Sequence, residues 1–455
     1  RDSDVRSNAT YALGQMETEA KEAVPALIIA LEDRDSDVRS NATYALGQME
    51  TEAKEAVPAL IIALEDRDNK VRSSAAFTLG KMGTESKEAV PALINVLDDS
   101  DSKVCSNAAG ALVSIGYEAI PDLVQALRNT NSKVRSSAAN VLGRMGKEAK
   151  AAIPTLISAL DDSDSDVRSH AAEALGKIGT EAKTAIPALI STLDDSNSKV
   201  RSRAADALGE MGKEAKDAVP TLIRVLNDPD GVRYSAAKAL GKIGKEAKAA
   251  IPALTAALQN ENADVSFRAA IALVKVGGNP QDAIPVLIAN LRGNLYCDSN
   301  TKLANQTLGE IGDKAVPALT IALKDTNENV RLWAAHTLGQ IGADAKDSIP
   351  ELTKVFLDSD EHTKVRYQAI QALENIASDE AISVLDKYRE TADVILQEES
   401  TLFGSGSCGN AATISVKLAT TNHIKRPPVM CRIRVIRSVL RWKCPPVPQN
   451  KTHGS

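Results

Sequence analysis

The sequence predicts an all-α fold, an α-α superhelix (a solenoid) of about twelve tandem helix pairs, and two observations lead to this prediction. First, a segment typified by residues 35–47 recurs about every 33 residues as far as residue 376, and its valine occupies Val5, Val38, Val71, Val104, Val134, Val167, Val200, Val232, Val265, Val330 and Val365. Second, a proline recurs in step with this valine, from Pro25 to Pro350. Two marks that share one period indicate a repeat array. No alternating apolar run before residue 410 indicates a strand.

Each unit has the pattern of two helices, and residues 23–49 contain both. In the first helix, apolar residues follow the spacing of a single helix face: Val24, Leu27, Ile28 and Leu31. Pro25 lies in its first turn, where a missing N–H is tolerated, and Asp35 is placed to cap the second helix. The inner face of that second helix is Val38, Ala42, Ala45, Leu46 and Met49. A helix pair of this size cannot bury a stable core alone, so the units must stack on their neighbours.

Small residues recur in the second helix and at its end. Ala45 and Gly47 allow neighbouring helices to approach closely. Later units end in a further glycine, such as Gly83, which fits a left-handed helix stop. Glu17 and Glu50 stand at this position in the first two units, so we expect a different turn there.

The recurring proline, the Asp-x-x-Val-Arg start of the second helix and its Ala-x-x-Ala-Leu-Gly body resemble the HEAT repeat, most closely the short HEAT-like repeats of phycobilisome lyases. The resemblance implies a structural ladder in which one arginine per unit pairs with an aspartate of a turn: Arg6, Arg39, Arg72, Arg135, Arg168, Arg201, Arg233, Arg331 and Arg366. Cys105, Ser266 and Thr301 replace the arginine in three units, where we expect interruptions.

The chain divides into a solenoid at 1–390, a linker at 391–407 and a basic tail at 408–455 that we predict to be disordered. Residues 404–455 hold nine Lys or Arg and no Asp or Glu, which leaves 45 basic and 60 acidic residues in the preceding part, a net charge of about −15. An acidic solenoid is a poor non-specific binder of nucleic acid. The tail is either a tether to an anionic surface or nucleic acid or out-of-frame sequence without function, and we favour the second interpretation.

Several irregularities interrupt the array. Residues 1–33 and 34–66 are identical, which indicates a recent duplication. The spacing shortens by three residues at Gly116 and again at Gly312, which predicts shorter turns between units. Around residues 291–300 the acidic turn is replaced, and we expect a protruding loop there.

No motif for catalysis stands out, and we predict no catalytic residue, no metal and no cofactor. None of the five histidines is followed by Glu, so the His-Glu pairs of the HEAT-repeat iron hydroxylase that modifies a translation factor are absent. Residues 162–166, with Glu173 at the twelfth place, have the oxygen spacing of an EF-hand. However, Val167 stands where that loop needs Gly. We therefore interpret this segment as a helix cap and first turn.

Comparison between units identifies candidate partner-binding residues. The body of the repeat is nearly constant, whereas the residue before each Ala-Leu varies and forms an exposed ridge by helical spacing. Tyr11, Tyr44 and Phe77 place aromatic residues, which are favoured interface anchors, at three consecutive ridge positions. The alternative is that they cover the seam to the next unit. A second candidate set shares one face of a later helix: Trp333, His336 and Gln340.

Three hypotheses about function follow. The favoured one is a cytoplasmic scaffold without catalysis of its own, not an enzyme, that binds a protein partner through the concave face, which second helices line in HEAT arrays. The resemblance allows an alternative, a phycobilin lyase-type chromophore attachment enzyme or its subunit. The third is a nucleic-acid binder that acts through the basic tail. No membrane span is expected, since no apolar run is long enough.

Overall fold

The computed structural model describes residues 2–16, 22–228, 231–293 and 298–403. These residues form α-helices and 3-10 helices and contain no strand, which confirms the all-α fold. The chain divides into two compact units, Arg1–Gly278 and Asn279–Ser455. The predicted loop at 291–300 lies partly outside the described residues, and residues 404–455 lie entirely outside them.

Numbered along the chain, the helices are α1 (Ser3–Gln15), α2 (Val24–Ala30), α3 (Ser36–Gln48), α4 (Val57–Ala63), α5 (Asn69–Met82), α6 (Val90–Asn95), α7 (Ser102–Ile115), α8 (Ile120–Ala126), α9 (Ser132–Met145), α10 (Ile153–Ala159), α11 (Ser165–Ile178), α12 (Ile186–Thr192), α13 (Ser198–Glu210), α14 (Val219–Val225), α15 (Arg233–Ile243), α16 (Ile251–Ala257), α17 (Ala263–Val276), α18 (Pro280–Ala289), α19 (Ser299–Ile311), α20 (Val316–Ala322), α21 (Glu328–Ile341), α22 (Ile349–Leu357), α23 (Thr363–Ile376), α24 (Asp379–Lys387) and α25 (Arg389–Phe403). The even-numbered helices from α2 to α22 are the first helices of the repeats, and the odd-numbered helices from α1 to α23 are the second. Helix α25 crosses the residues where the sequence placed the start of a linker.

The predicted start signals and apolar faces are in place. The Asp35 side chain accepts a hydrogen bond from the Asp37 N–H at 2.9 Å and so caps α3. Pro25 lies in the first turn of α2. Val38 and Leu46 are almost completely buried, as predicted for the inner face. Most of the described helices therefore begin on a polar cap or a proline, and they bury apolar residues against their neighbours.

Close approach of consecutive second helices depends on glycine. A Cβ built on Gly176 of α11 would lie 2.8 Å from the Cα of Ala207 on α13, and the same arrangement brings Gly80 against Ala111. Atoms of real side chains do not approach a backbone carbon this closely, so the second helices pack backbone against backbone at these points. The predicted role of the small residues is confirmed.

Most described turns between repeats are short 3-10 helices. Most span seven residues, such as Gly83–Ala89, whereas Gly116–Ala119 and Gly312–Ala315 span four, which confirms the predicted shortening. Gly83 has a φ of +57° and a ψ of −129°, a conformation that only glycine adopts without strain. Glu50, at the equivalent position, also has a positive φ, of 48°.

Replacing Glu50 by glycine is expected to raise the free energy of unfolding by about 0.5–1 kcal/mol, because a side chain at positive φ costs on the order of 1 kcal/mol. Urea unfolding of the full chain measures the difference. The control is Glu52→Gly, since Glu52 belongs to the same 3-10 helix but has no positive φ. Loss of stability in both variants would show that Glu50 is not strained.

Candidate protein-binding face

An arginine ladder joins consecutive repeats. Arg39 donates from Nε and Nη2 to the carboxylate of Asp66 at 2.6 and 2.8 Å, and from Nη1 to the carbonyl oxygen of Asp33 at 2.8 Å. Asp66 lies 27 residues further along, in the turn of the next repeat, so one guanidinium ties two repeats together. The described pairs are Arg6–Asp33, Arg39–Asp66, Arg72–Asp99, Arg135–Asp162, Arg168–Asp195, Arg201–Asp228 and Arg331–Glu361.

The ladder is interrupted at Cys105, as predicted. Its Sγ donates to the carbonyl oxygen of Asp99 at 3.2 Å, and burial raises the pKa of the thiol. The turn position that holds the aspartate in other repeats holds Asn129 here, and its Oδ1 accepts from Asn131 as the aspartates do from their turns. The interruption thus removes the cation and the anion together.

The ladder prediction is wrong for two arginines. Arg233 donates from Nε to the carbonyl oxygen of Asp228 at 2.6 Å, and Arg366 donates from Nε to that of Phe356 at 3.1 Å. Both guanidinium groups therefore hydrogen-bond to the backbone of their own repeat instead of a carboxylate in the next. For Arg233 the sequence offers a reason, since the following turn has Asn260 where an aspartate would stand.

Stability is expected to fall as the pH is lowered from about 4 to about 2. The hydrogen bond from Arg6 lowers the pKa of Asp33 to about 2, and Arg72 likewise lowers the pKa of Asp99. Because an unfolded aspartate titrates near 3.9, the pairs contribute fully above that value and are lost as the pH falls through the folded pKa. Thermal unfolding between pH 5 and pH 2 tests this. An Asp33→Asn variant with an unchanged pH profile would show that this rung does not contribute.

The predicted aromatic ridge lies on three consecutive second helices, α1, α3 and α5. Tyr11 is 50% exposed and Phe77 is 46% exposed, whereas Tyr44 is half-buried. The rings of Tyr11 and Tyr44 stack with centroids 6.3 Å apart and an interplanar angle of 15°. The Tyr44 ring also lies over Gly14, so it covers the seam to the preceding repeat while keeping part of its surface exposed. We call the surface of the odd-numbered helices that carries this ridge the second-helix face.

The aromatic ridge ends after Phe77. Its next position is Gly110, and a Cβ built there would meet no atom within 4 Å. The ridge therefore carries no side chain at this position, and the space around it is open.

Further along the second-helix face, charged side chains pair with one another. Lys177 contacts Glu173 at 2.8 Å, Arg203 contacts the same carboxylate at 3.4 Å, and Lys238 contacts Asp206 at 2.9 Å. Mutual pairing of this kind agrees with the solvated face that mixed charges usually form. The aromatic ridge therefore remains the distinctive part of this face in the first compact unit.

The second candidate set forms one network, with one member buried. Trp333 is only 5% exposed, and its Nε1 donates to the carbonyl oxygen of Gly293 at 3.4 Å. Its ring meets His336 edge-on at 5.5 Å, and Gln340 lies 3.0 Å from His336 Nε2. Burial lowers the pKa of His336, which holds it neutral. Gln340 is exposed, whereas Trp333 is buried.

The acidic segment before α11 acts as a helix cap. Asp164 accepts hydrogen bonds from the N–H groups of Asp166 and Val167 at 2.9 and 3.3 Å. The Asp162 carboxylate is held by Arg135. Over the described part of the chain, no group of three or more His, Cys, Asp or Glu side chains could hold a metal ion. No described helix is long and apolar enough to cross a membrane.

Solved structures of karyopherins share the fold. Kap121p bound to Pho4p superposes with a TM-score of 0.55 at 14% identity, covering 89% of this chain and 51% of that one. The Kap95:Nup1 complex gives 0.56 at 16% identity, covering 89% of this chain and 63% of that one. Importin beta gives 0.52 at 15% identity, covering 89% and 69% respectively. At these identities the likeness establishes the fold alone.

Curated relatives contradict the prediction that the chain is not an enzyme. A deoxyhypusine hydroxylase of Schizosaccharomyces pombe is 40% identical over 88 residues, which are 19% of this chain and 27% of the relative. Deoxyhypusine hydroxylase-B of Oryza sativa subsp. japonica is 33% identical over 87 residues, 19% of this chain and 28% of the relative. The match spans about a quarter of each relative. The prediction rested on motif absence, whereas these relatives, which share the sequence of the repeats, are enzymes.

The sequence itself matches repeat families over most of its length. The HEAT repeats profile matches residues 1–61, 57–131, 120–190, 186–250 and 299–361. The PBS lyase HEAT-like repeat profile matches residues 365–388. These matches lie on the helix pairs described above and include the arginine ladder. The chain belongs to the HEAT repeat family.

Proposed function

We propose that the chain is a scaffold that binds a partner protein through its second-helix face, with the aromatic ridge of Tyr11, Tyr44 and Phe77 as the anchor. The observation that carries the proposal is the exposure of large aromatic surface on consecutive helices in a chain with only 3% aromatic residues. Partly exposed aromatic side chains contribute most to binding when a partner covers them. The karyopherin structures whose fold this chain shares hold bound proteins, Pho4p and Nup1.

The geometry supports a protein partner with its own apolar side chain. The stacked Tyr11 and Tyr44 rings give a flat, pre-ordered surface, and ordering them on binding requires little further loss of freedom. At the next ridge position after Phe77, Gly110 leaves open space that a partner side chain can approach. Trp333, His336 and Gln340 remain a candidate second contact, with Gln340 as its exposed member.

The test is affinity capture with the full chain, compared with the triple variant Y11A/Y44A/F77A. We expect at least one protein to be retained by the original chain and lost from this variant. The matched control is I29A/I62A, because Ile29 and Ile62 are exposed to 74% and 73% on first helices instead. Equal recovery of every partner by the original chain and the triple variant would remove the aromatic-ridge proposal, as would equal losses in both variants.

The match to deoxyhypusine hydroxylases favours a second candidate, hydroxylation of deoxyhypusine. The test incubates the full chain with a deoxyhypusine-containing protein, O2 and a two-electron reductant, so that one oxygen atom enters the substrate and the other leaves as water. The substrate is followed by mass spectrometry. A gain of one oxygen atom that depends on the chain would support this candidate. Substrate mass equal to that of a chain-free control would remove it.

A further inference from the structure

A cleft of about 570 Å³ opens along the turns of three successive repeats in the first compact unit. It lies where the 3-10 turns meet the first helices, away from the aromatic ridge on the second helices. Its lining comprises Lys54, Glu55, Val57, Pro58, Thr84, Glu85, Lys87, Glu88, Tyr117 and Glu118.

The shortened turn at Gly116–Ala119 introduces an aromatic residue at the end of this cleft. Counted four residues before the repeat proline, successive repeats carry Lys54, Lys87 and then Tyr117, and the lysine returns at Lys150. Tyr117 is 67% exposed although it is one of few aromatic residues in the chain. Sequence reasoning identified the shorter turn but missed that Tyr117 replaces the lysine that neighbouring repeats carry at this position.

The cleft has an excess of negative charge that the described residues do not neutralise. Four carboxylates line it against two ammonium groups. Glu55, Glu85 and Glu88 make no ion pair or side-chain hydrogen bond among the described residues, in contrast to Glu173 and its two cations. A hydrogen bond to the Glu118 carboxylate raises the pKa of Tyr117, which keeps its ring neutral.

We propose that this cleft binds an extended basic segment of a partner protein, with Arg or Lys at every third residue. Neighbouring helices in such arrays lie about 8–10 Å apart. Three residues of a polyproline II segment span about 9 Å and return the side chain to the same face. Cations at every third position can therefore each contact one glutamate in three successive repeats: Glu55, Glu88 and Glu118. One guanidinium stacks on the exposed Tyr117 ring, since a neutral phenol face attracts a cation.

The proposal does not depend on the aromatic ridge, because the two surfaces use different residues and different edges of the repeat. Charge complementarity selects the occupant: unpaired carboxylates attract a basic segment and repel an acidic one. The exposed Tyr117 ring distinguishes this cleft from the later turns of the acidic surface, where Lys150 and Lys183 occupy the repeat position of Tyr117.

The test measures fluorescence anisotropy of a labelled nine-residue peptide, three repeats of Arg-Ser-Gly, with the full chain. A peptide of the same composition with its three arginines adjacent is the spacing control. We expect the spaced peptide to bind more tightly. Tyr117→Lys, which restores the lysine of the neighbouring repeats, is expected to weaken binding of the spaced peptide about tenfold. It removes the ring on which a guanidinium stacks and adds a charge of the same sign.

Glu85→Lys and Glu181→Lys form the matched pair, because both change an exposed glutamate at the same repeat position by the same charge. We expect only Glu85→Lys to weaken binding. The Y11A/Y44A/F77A variant is expected to bind the peptide normally, which separates this proposal from the proposed function. Equal losses from Glu85→Lys and Glu181→Lys, or unchanged binding by Tyr117→Lys, would overturn the proposal, as would equal binding of the two peptides.

Discussion

Replacing Arg39 by methionine is expected to lower the free energy of unfolding by about 2–3 kcal/mol. Arg39 is 5% exposed, and its three hydrogen bonds join its own repeat to the next. Its removal leaves the largely buried Asp66 carboxylate without its cation and the Asp33 carbonyl without its donor. Urea unfolding followed by circular dichroism measures the loss. No change in stability would show that this rung is solvated and contributes nothing.

The double variant Arg39→Met with Asp66→Asn is expected to recover part of this loss. The chain already contains this compensated form at Cys105 and Asn129, where neither charge is present. Most of the single-variant effect comes from an unpaired buried charge rather than from the net value of the pair. A double variant less stable than the single one would contradict this assignment.

Replacing Gly176 by alanine is expected to destabilise the chain by about 2–3 kcal/mol. The added methyl group would lie 2.8 Å from Ala207 Cα and 3.0 Å from its Cβ. Neither atom belongs to a flexible side chain, so α11 and α13 would have to move apart. Thermal and urea unfolding of the full chain measure the effect.

Gly110→Ala is the matched control and is expected to stabilise the chain by about 1 kcal/mol. Gly110 lies within α7 and has open space where the methyl group would be, so only the gain in helix propensity remains. The same chemical change should thus have opposite signs at two positions of the repeat array. Destabilisation of similar size at both positions would show that helix contact is not the cause.

Local features of the repeat could be predicted from sequence because they depend on near neighbours. The cap at Asp35 and the short turn at Gly116 follow from patterns within a few residues. The pairing of Arg39 with Asp66 spans 27 residues, and it was expected only because the repeat resembles HEAT repeats. The spacing of the residues within one unit does not by itself show which side chains of neighbouring units meet.

Features that break the period could not be predicted in this way. Trp333 is buried, and its Nε1 donates to the carbonyl oxygen of Gly293, 40 residues earlier in an irregular segment. Helical spacing alone identified this side chain only as a candidate anchor on one face of its helix. The cleft at Tyr117 is likewise formed by three turns together, so it is visible only in the folded chain. The sequence contained one signal of it, since neighbouring repeats carry lysine at the position that Tyr117 occupies. The predicted absence of catalysis rested on missing motifs, which is a weak basis when repeats are shared with enzymes.

The identity of residues 1–33 and 34–66 has a consequence for how such a chain can evolve. Each rung of the ladder reaches only into the adjoining copy, so unequal crossing-over between duplicated gene segments would add or delete a whole copy without creating an unfamiliar junction. Every added copy would bring one more tyrosine equivalent to Tyr44. Recombination would therefore lengthen the proposed aromatic ridge in steps, before any codon changes.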